Sequence, residues 1–168
     1  ALEILMKEDV SMVASDVMMP EMNGFELCRK IKSDIVLSHI PVMLLTALSD
    51  DEQQMYGIAG GADIYVRKPF NIEVVKLHII RLLEERDRLR EAYARDAASP
   101  LGSVKAKREK SMDNLFMDRF LKLIDESYTD PDFSIEKGSE KLGLSRVHLY
   151  RKVKELAGVT PTDFLRNY

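Results

Sequence analysis

The 168-residue chain has one cysteine, Cys28. A disulfide within one copy is therefore excluded, which fits a reducing compartment, and the helical pattern around Cys28 predicts a buried structural thiol. No run of 18 apolar residues occurs and no signal-peptide pattern opens the chain, so no membrane contact is expected within it and the expected location is cytoplasmic. Paired His/Cys metal spacing, a Gly-rich phosphate loop and a nucleophile elbow are all missing, so no enzymatic output is expected. Neither charge sign dominates: the net charge is −3. Residues 1–99 carry 12 basic and 17 acidic side chains, residues 100–168 carry 13 and 11. That step supports a boundary near residue 99 but is too small to argue nucleic acid by itself. Apolar residues at 45% and charged residues at 32% describe a soluble, foldable chain with room for one ordinary domain or two small ones.

What is present is organised around Val10–Gly24, VSMVASDVMMPEMNG. Its short apolar start predicts a strand over 10–17, buried on both faces of a parallel sheet. The strand delivers Asp16 to its C-terminal end, and Pro20, Asn23 and Gly24 predict a sharp turn after it. Such an edge is where open α/β sheets hold ligands, although a lone Asp there can equally start a turn or cap the next helix. Two further strands are predicted over 41–46 and 62–67. Thr46 closes one and Lys68 follows the other, at spacings of 30 and 22 residues that leave room for crossover helices.

The motifs D-V-M-M-P-E-M-N-G, L-L-T-A and Y-V-R-K-P-F resemble the receiver domain of two-component response regulators. The resemblance implies a flavodoxin-like α/β fold with Asp16 as phosphoacceptor, Thr46 with Ala47 and Lys68 around the phosphoryl group, and Tyr65 as the switching aromatic. It also implies Mg²⁺ held by Asp16 and the backbone carbonyl of Met18, and a histidine kinase domain as phosphodonor. For Tyr65 a plain core role is the alternative. Three of the family's five parallel strands are readable. The first strand, with its acidic pair, has no counterpart, so the chain is expected to be an N-terminally truncated receiver over residues 1–83, dimeric or larger through its open strand flank.

A helix capped by the cluster Ser49–Glu52 is expected to end at Gly60-Gly61. From Ile72 to about Arg95 a long helix carries Val75, Ile79, Leu82, Arg86, Leu89 and Tyr93 at 4-3 spacing, close to a heptad seam. Its second half is either a solvated spacer or a helix that pairs with its twin in a homodimer. Residues 84–111 are accordingly a helical extension and linker, whose basic run KAKREK is most simply solvated.

Residues 112–168 predict an all-α unit. Leu115, Phe116, Phe120, Leu123 and Ile124 form the inner stripe of its first helix. Ser134 caps a short helix ending near Leu142, Gly143 turns the chain, and Ser145 caps a second helix through Leu156. This is the pattern of a helix-turn-helix, with a generic αα-hairpin as the alternative. The run E-K-L-G-L-S-R-V-H-L-Y-R-K-V-K-E-L-A-G-V-T-P-T-D-F-L-R resembles the first half of an AraC-type DNA-binding domain. The resemblance implies double-stranded DNA as partner, Arg146, Val147, Tyr150 and Arg151 near bases, and Ser145, Lys152 and Lys154 at phosphates. Gly138 departs from the apolar residue usual there, which predicts a looser first helix. The combination resembles the C-terminal portion of bacterial hybrid two-component regulators and implies a transcription regulator. A phosphorylation-dependent protein-interaction module is the alternative.

Overall fold

Three β-branched and apolar runs become three parallel strands. The computed structural model describes residues 1–47, 61–97, 111–127, 129–130 and 132–167, with the backbone alone for 94–97. It divides into two compact units, Ala1–Glu85 and Arg86–Tyr168. The expected helix over 49–59 and the linker 98–110 lie outside the described residues.

The first unit runs α1 (Leu2–Lys7), β1 (Val13–Asp16), α2 (Gly24–Ser33), β2 (Val42–Thr46), β3 (Ile64–Arg67) and the first half of α3 (Ile72–Ala97). The strand order is β1-β2-β3, with Asp16 opposite Leu45 and Thr46 opposite Arg67. Ladders are shorter than the apolar runs. Pro41 has no N–H to give, and the Asp63 carboxylate takes the Val42 N–H at 2.7 Å. Lys32 holds Asp63 in turn, Nζ to Oδ2 at 2.7 Å.

The expectation that the 10–17 strand is buried on both faces does not hold. Among the described strands β1 pairs only with β2, and Ala14 is exposed. The doubly covered strand is β2, where Val42, Met43 and Leu44 are all fully buried. On one face Met43, Val66 and Val75 form a core joined by Met12, Leu45, Ile64 and Ile79. On the other, α2 buries Leu27, Cys28 and Ile31, its first turn capped by Asn23, whose Oδ1 accepts the Glu26 N–H at 2.9 Å. Cys28 is the buried thiol expected, and burial pushes its pKa up to about 11.

The second unit contains the last turns of α3, then α4 (Met112–Ser127), α5 (Ile135–Lys141), α6 (Arg146–Ala157) and α7 (Pro161–Asn167). Its core joins Phe116, Phe120 and Phe164 with Leu149 and Val153. The rings of Phe120 and Phe164 meet edge to face at 5.3 Å. Two inner stripes differ from expectation. On α4 Leu115 is exposed and Met117 buried, because the stripe follows 116, 117, 120, 123 and 124 at the 3.6 period. On α3 Leu89 is exposed, while Arg90 and the buried Tyr93 turn toward the other helices of this unit.

Gly138 does not loosen α5. A Cβ there would lie 3.2 Å from Phe133 Cζ and 3.4 Å from Leu123 Cδ2, so the missing side chain is what admits the Phe133 ring.

Candidate functional site

The parallel register carries β1, β2 and β3 to one edge with their C-terminal ends nearly level. Asp16 ends β1. Its Oδ1 accepts the Met18 N–H at 3.2 Å, and its Oδ2 receives a charge-assisted hydrogen bond from Lys68 Nζ. Lys68 arrives there because its own N–H donates to the Thr46 carbonyl at 2.7 Å, extending the β2–β3 ladder past Arg67. The Lys68 hydrogen bond, followed by that from Met18, holds the Asp16 carboxyl below its usual range. The pair is nonetheless open, with side chains 40% and 38% exposed for Lys68 and Asp16.

Gly24 sets the approach of the following helix. A Cβ on it would stand 2.4 Å from the Asp16 carbonyl oxygen and 3.0 Å from Val17 Cα, and its N–H donates to Val17 O at 2.9 Å. Only a glycine lets α2 begin against the backbone of Asp16. Between them the chain turns through Glu21 at φ 66°, in the left-handed region.

Thr46 is fully buried, and by strand alternation it shares the α2 face with Val42 and Leu44. Ala47, next along, is exposed. Tyr65 lies on that same α2 face, half-buried, its ring 6.3 Å from that of Phe25. Burial pushes its phenol upward in pKa. Asp16, Thr46 and Lys68 are thus brought together at one edge, while Tyr65 sits one turn of the ladder below.

Hard oxygen donors at this edge are the Asp16 carboxylate and the backbone carbonyls around it. Among the described residues no three His, Cys, Asp or Glu side chains converge to hold a metal. One carboxylate with the Met18 carbonyl fits Mg²⁺ only in the manner of a largely hydrated ion that also binds substrate phosphate.

In the helical unit, α5 and α6 are joined by a turn through Leu142–Ser145, with Gly143 at φ +70°. Ser145 caps α6, its Oγ accepting the His148 N–H at 3.2 Å. Along the outer face of α6 lie Arg146, Val147, Tyr150 and Lys154, all exposed, with Arg151 half-buried beside them. Val147 is 63% exposed, unusual for a branched apolar side chain on a helix. Arg146 Nη1 pairs with Glu136 Oε1 of α5 at 2.9 Å.

Lys152, expected at DNA phosphates, is instead fully buried. Its Nζ meets Asp113 Oδ1 of α4 at 2.5 Å and lies 5.9 Å from the Phe116 ring centroid. The helical wheel places Lys152 at the margin of the outer face, and the long α4 covers that margin, so the lysine found a carboxylate inside.

The family model described as response regulator receiver domain matches residues 1–80. Residues 1–80 are a response regulator receiver domain. Histidine kinase P4 of Formosa agariphila is 36% identical over 166 residues, covering 99% of this chain and 12% of that protein. The DNA-binding dual master transcriptional regulator RpaA of Synechocystis is 35% identical over 92 residues, 55% of this chain and 37% of that protein. The chain therefore spans well under half the length of either relative. The crystal structure of NtrX from Brucella abortus shares the fold at 22% identity and a TM-score of 0.50, covering 76% of this chain and 26% of that one. No helix among the described residues is long and apolar enough to cross a membrane.

Sequence reasoning passed over two features of this receiver and its helical neighbour. Gly24 was legible as a turn former but not as the point of contact with Asp16. Glu155, on α6, accepts from Arg90 of α3, and no local pattern marks that long-range pair.

Proposed function

We propose that the chain is the signal-receiving and DNA-binding portion of a two-component transcription regulator. The observation that carries the reading is the open Asp16–Lys68 pair at the ends of β1 and β3, with Thr46 between them. An Asp16 oxygen attacks the phosphorus of a phosphohistidine on a kinase domain. The new O–P bond forms as the P–N bond breaks, and the departing imidazole takes a proton from water. Lys68, already a charge-assisted donor to Asp16, is placed to offset charge on the transferring oxygens. Mg²⁺ bound through Asp16 and the Met18 carbonyl would add further charge neutralisation. Thr46 and Ala47 line the edge, and Tyr65 on the α2 face is the aromatic that responds.

The output is a helix-turn-helix of AraC type. In it Arg146, Val147, Tyr150 and Arg151 approach bases and Ser145 and Lys154 position the phosphates. Two copies pair, placing two such units on repeated DNA sites. A relative whose match runs through nearly the whole chain is named a histidine kinase, which supports a hybrid parent carrying donor and acceptor in one polypeptide. The location proposed is cytoplasmic.

A duplex selected from a random pool tests the output. The chain should bind the selected site with steep salt dependence. Arg151→Ala should weaken the selected site by about 1–3 kcal/mol and scrambled duplex far less, if it makes a bidentate base contact. Lys154→Ala should weaken both alike. Salt-insensitive or absent binding would favour a protein-interaction module.

A further inference from the structure

A closely tied polar contact outside the phosphoryl edge lies where α3 meets α6. Arg90 donates from Nε to the backbone carbonyl of Glu155 at 2.8 Å and from Nη2 to Glu155 Oε2 at 2.5 Å. Arg86 Nη1 adds a second contact to the same carboxylate at 3.6 Å. The three side chains are only 16–26% exposed. One turn on, Tyr93 is 5% exposed and its hydroxyl hydrogen-bonds Asn114 Oδ1 of α4.

The location on α6 matters. Glu155 lies in the last turn before Gly158, which closes the helix at φ +71°. Its carbonyl is one of the four that a helix C-terminus leaves without an internal partner. A guanidinium there satisfies the carbonyl, complements the negative end of the helix dipole and pairs with the carboxylate in one geometry. A lysine ammonium lacks the planar fork that fixes both bonds in one geometry.

We infer that Arg90 is a positioning residue: within the helical unit it clamps the C-terminal end of α6 to the last turns of α3, and so fixes the pose within that unit of the face carrying Arg146, Val147, Tyr150 and Arg151. The inference rests on the DNA-binding reading for its functional half. Residues 86–97 of α3 belong to the same compact unit as α6. The clamp lies wholly within the helical unit, between the Arg86–Tyr93 stretch of α3 and the end of α6.

Amide hydrogen exchange and duplex binding on the full chain test this together. In Arg90→Ala, exchange at Leu156–Gly158 should rise about tenfold, the loss of one charge-assisted hydrogen bond. Exchange in α2 serves as the unchanged internal control. Arg90→Lys should recover only part of that protection. The affinity ratio between a pool-selected duplex and its scrambled control should fall several-fold in Arg90→Ala, with scrambled binding unaltered. Unchanged exchange in Arg90→Ala overturns the clamp whatever the DNA result. Raised exchange with an unaltered ratio overturns the positioning role. Failure of the wild-type chain to select any duplex, with exchange raised in the variant, overturns the DNA reading while leaving the clamp standing.

Discussion

Two lysine–aspartate pairs close the two halves of this molecule, and they do opposite work. Lys68–Asp16 sits at an open sheet edge with both side chains more than a third exposed. Lys152–Asp113 joins two helices with the lysine wholly buried and Asp113 23% exposed. The chemical partners are the same, and so is the charge. Exposure decides what each pair is for. Water reaches Asp16, so its pair can open, as the proposed phosphoryl transfer requires. Lys152 is closed off from water, so its bond holds α6 against α4.

The comparison breaks most sharply on truncation of each lysine. Lys152→Ala removes the ammonium paired with Asp113 and empties the space beside Phe116. Loss of about 3–5 kcal/mol of unfolding free energy of the helical unit is expected, read by denaturant titration. Lys68→Ala should leave the unfolding midpoint near that of wild type, because solvent screens its pair. Equal destabilisation by the two variants would erase the distinction drawn here.

Gly24→Ala comes next in size. The new methyl group meets the Asp16 carbonyl at 2.4 Å, and the backbone has to shift. A cost of about 1–3 kcal/mol is expected, together with altered amide shifts at Asp16 and Val17 in NMR spectra. Unperturbed shifts would show that α2 does not set the position of Asp16.

A pH titration sharpens the comparison further. Lys68 and the Met18 N–H hold the Asp16 carboxyl below 3.8, so its proton binds more weakly in the folded chain than in the unfolded one. The stabilisation is fully present above the unfolded value and is lost as pH falls through the lower folded value. Carboxyl chemical shifts should give a midpoint below 3.8 in wild type and a higher one in Lys68→Met. The smallest effect concerns Cys28, whose burial raises its thiol to about 11 from 9.0. Alkylation at pH 8 should be negligible until the receiver unfolds, since little thiolate exists and none is reachable. Whatever stability this shift lends is present below pH 9 and lost as pH rises through about 11.

The parts legible in the sequence were those governed by local rules. Strand-end Asp16 and Lys68, the turn through Asn23 and Gly24, the Ser134 and Ser145 caps, and the Gly143 turn all follow from neighbours within a few residues. The burial of Cys28 followed from helical periodicity. Errors arose where a distant element decided. β1 was read as buried on both faces from its apolar content, yet among the described strands β2 is the one covered on both sides. Lys152 was placed at DNA phosphates by the AraC-type resemblance, and nothing in the local sequence shows that α4 brings Asp113 to it. Leu89 fitted a heptad seam, but the partner of α3 in the second unit is a carboxylate on α6, which selected Arg90 from the adjacent position.

The role of Asp16 is tested most directly by phosphoryl uptake. The chain is incubated with acetyl phosphate and Mg²⁺, and the modified residue is located by mass spectrometry after borohydride trapping of the acyl phosphate. One phosphoryl group on Asp16, absent from Asp16→Asn, is the predicted result. Undiminished labelling of Asp16→Asn, or no labelling of the wild-type chain, would contradict the account.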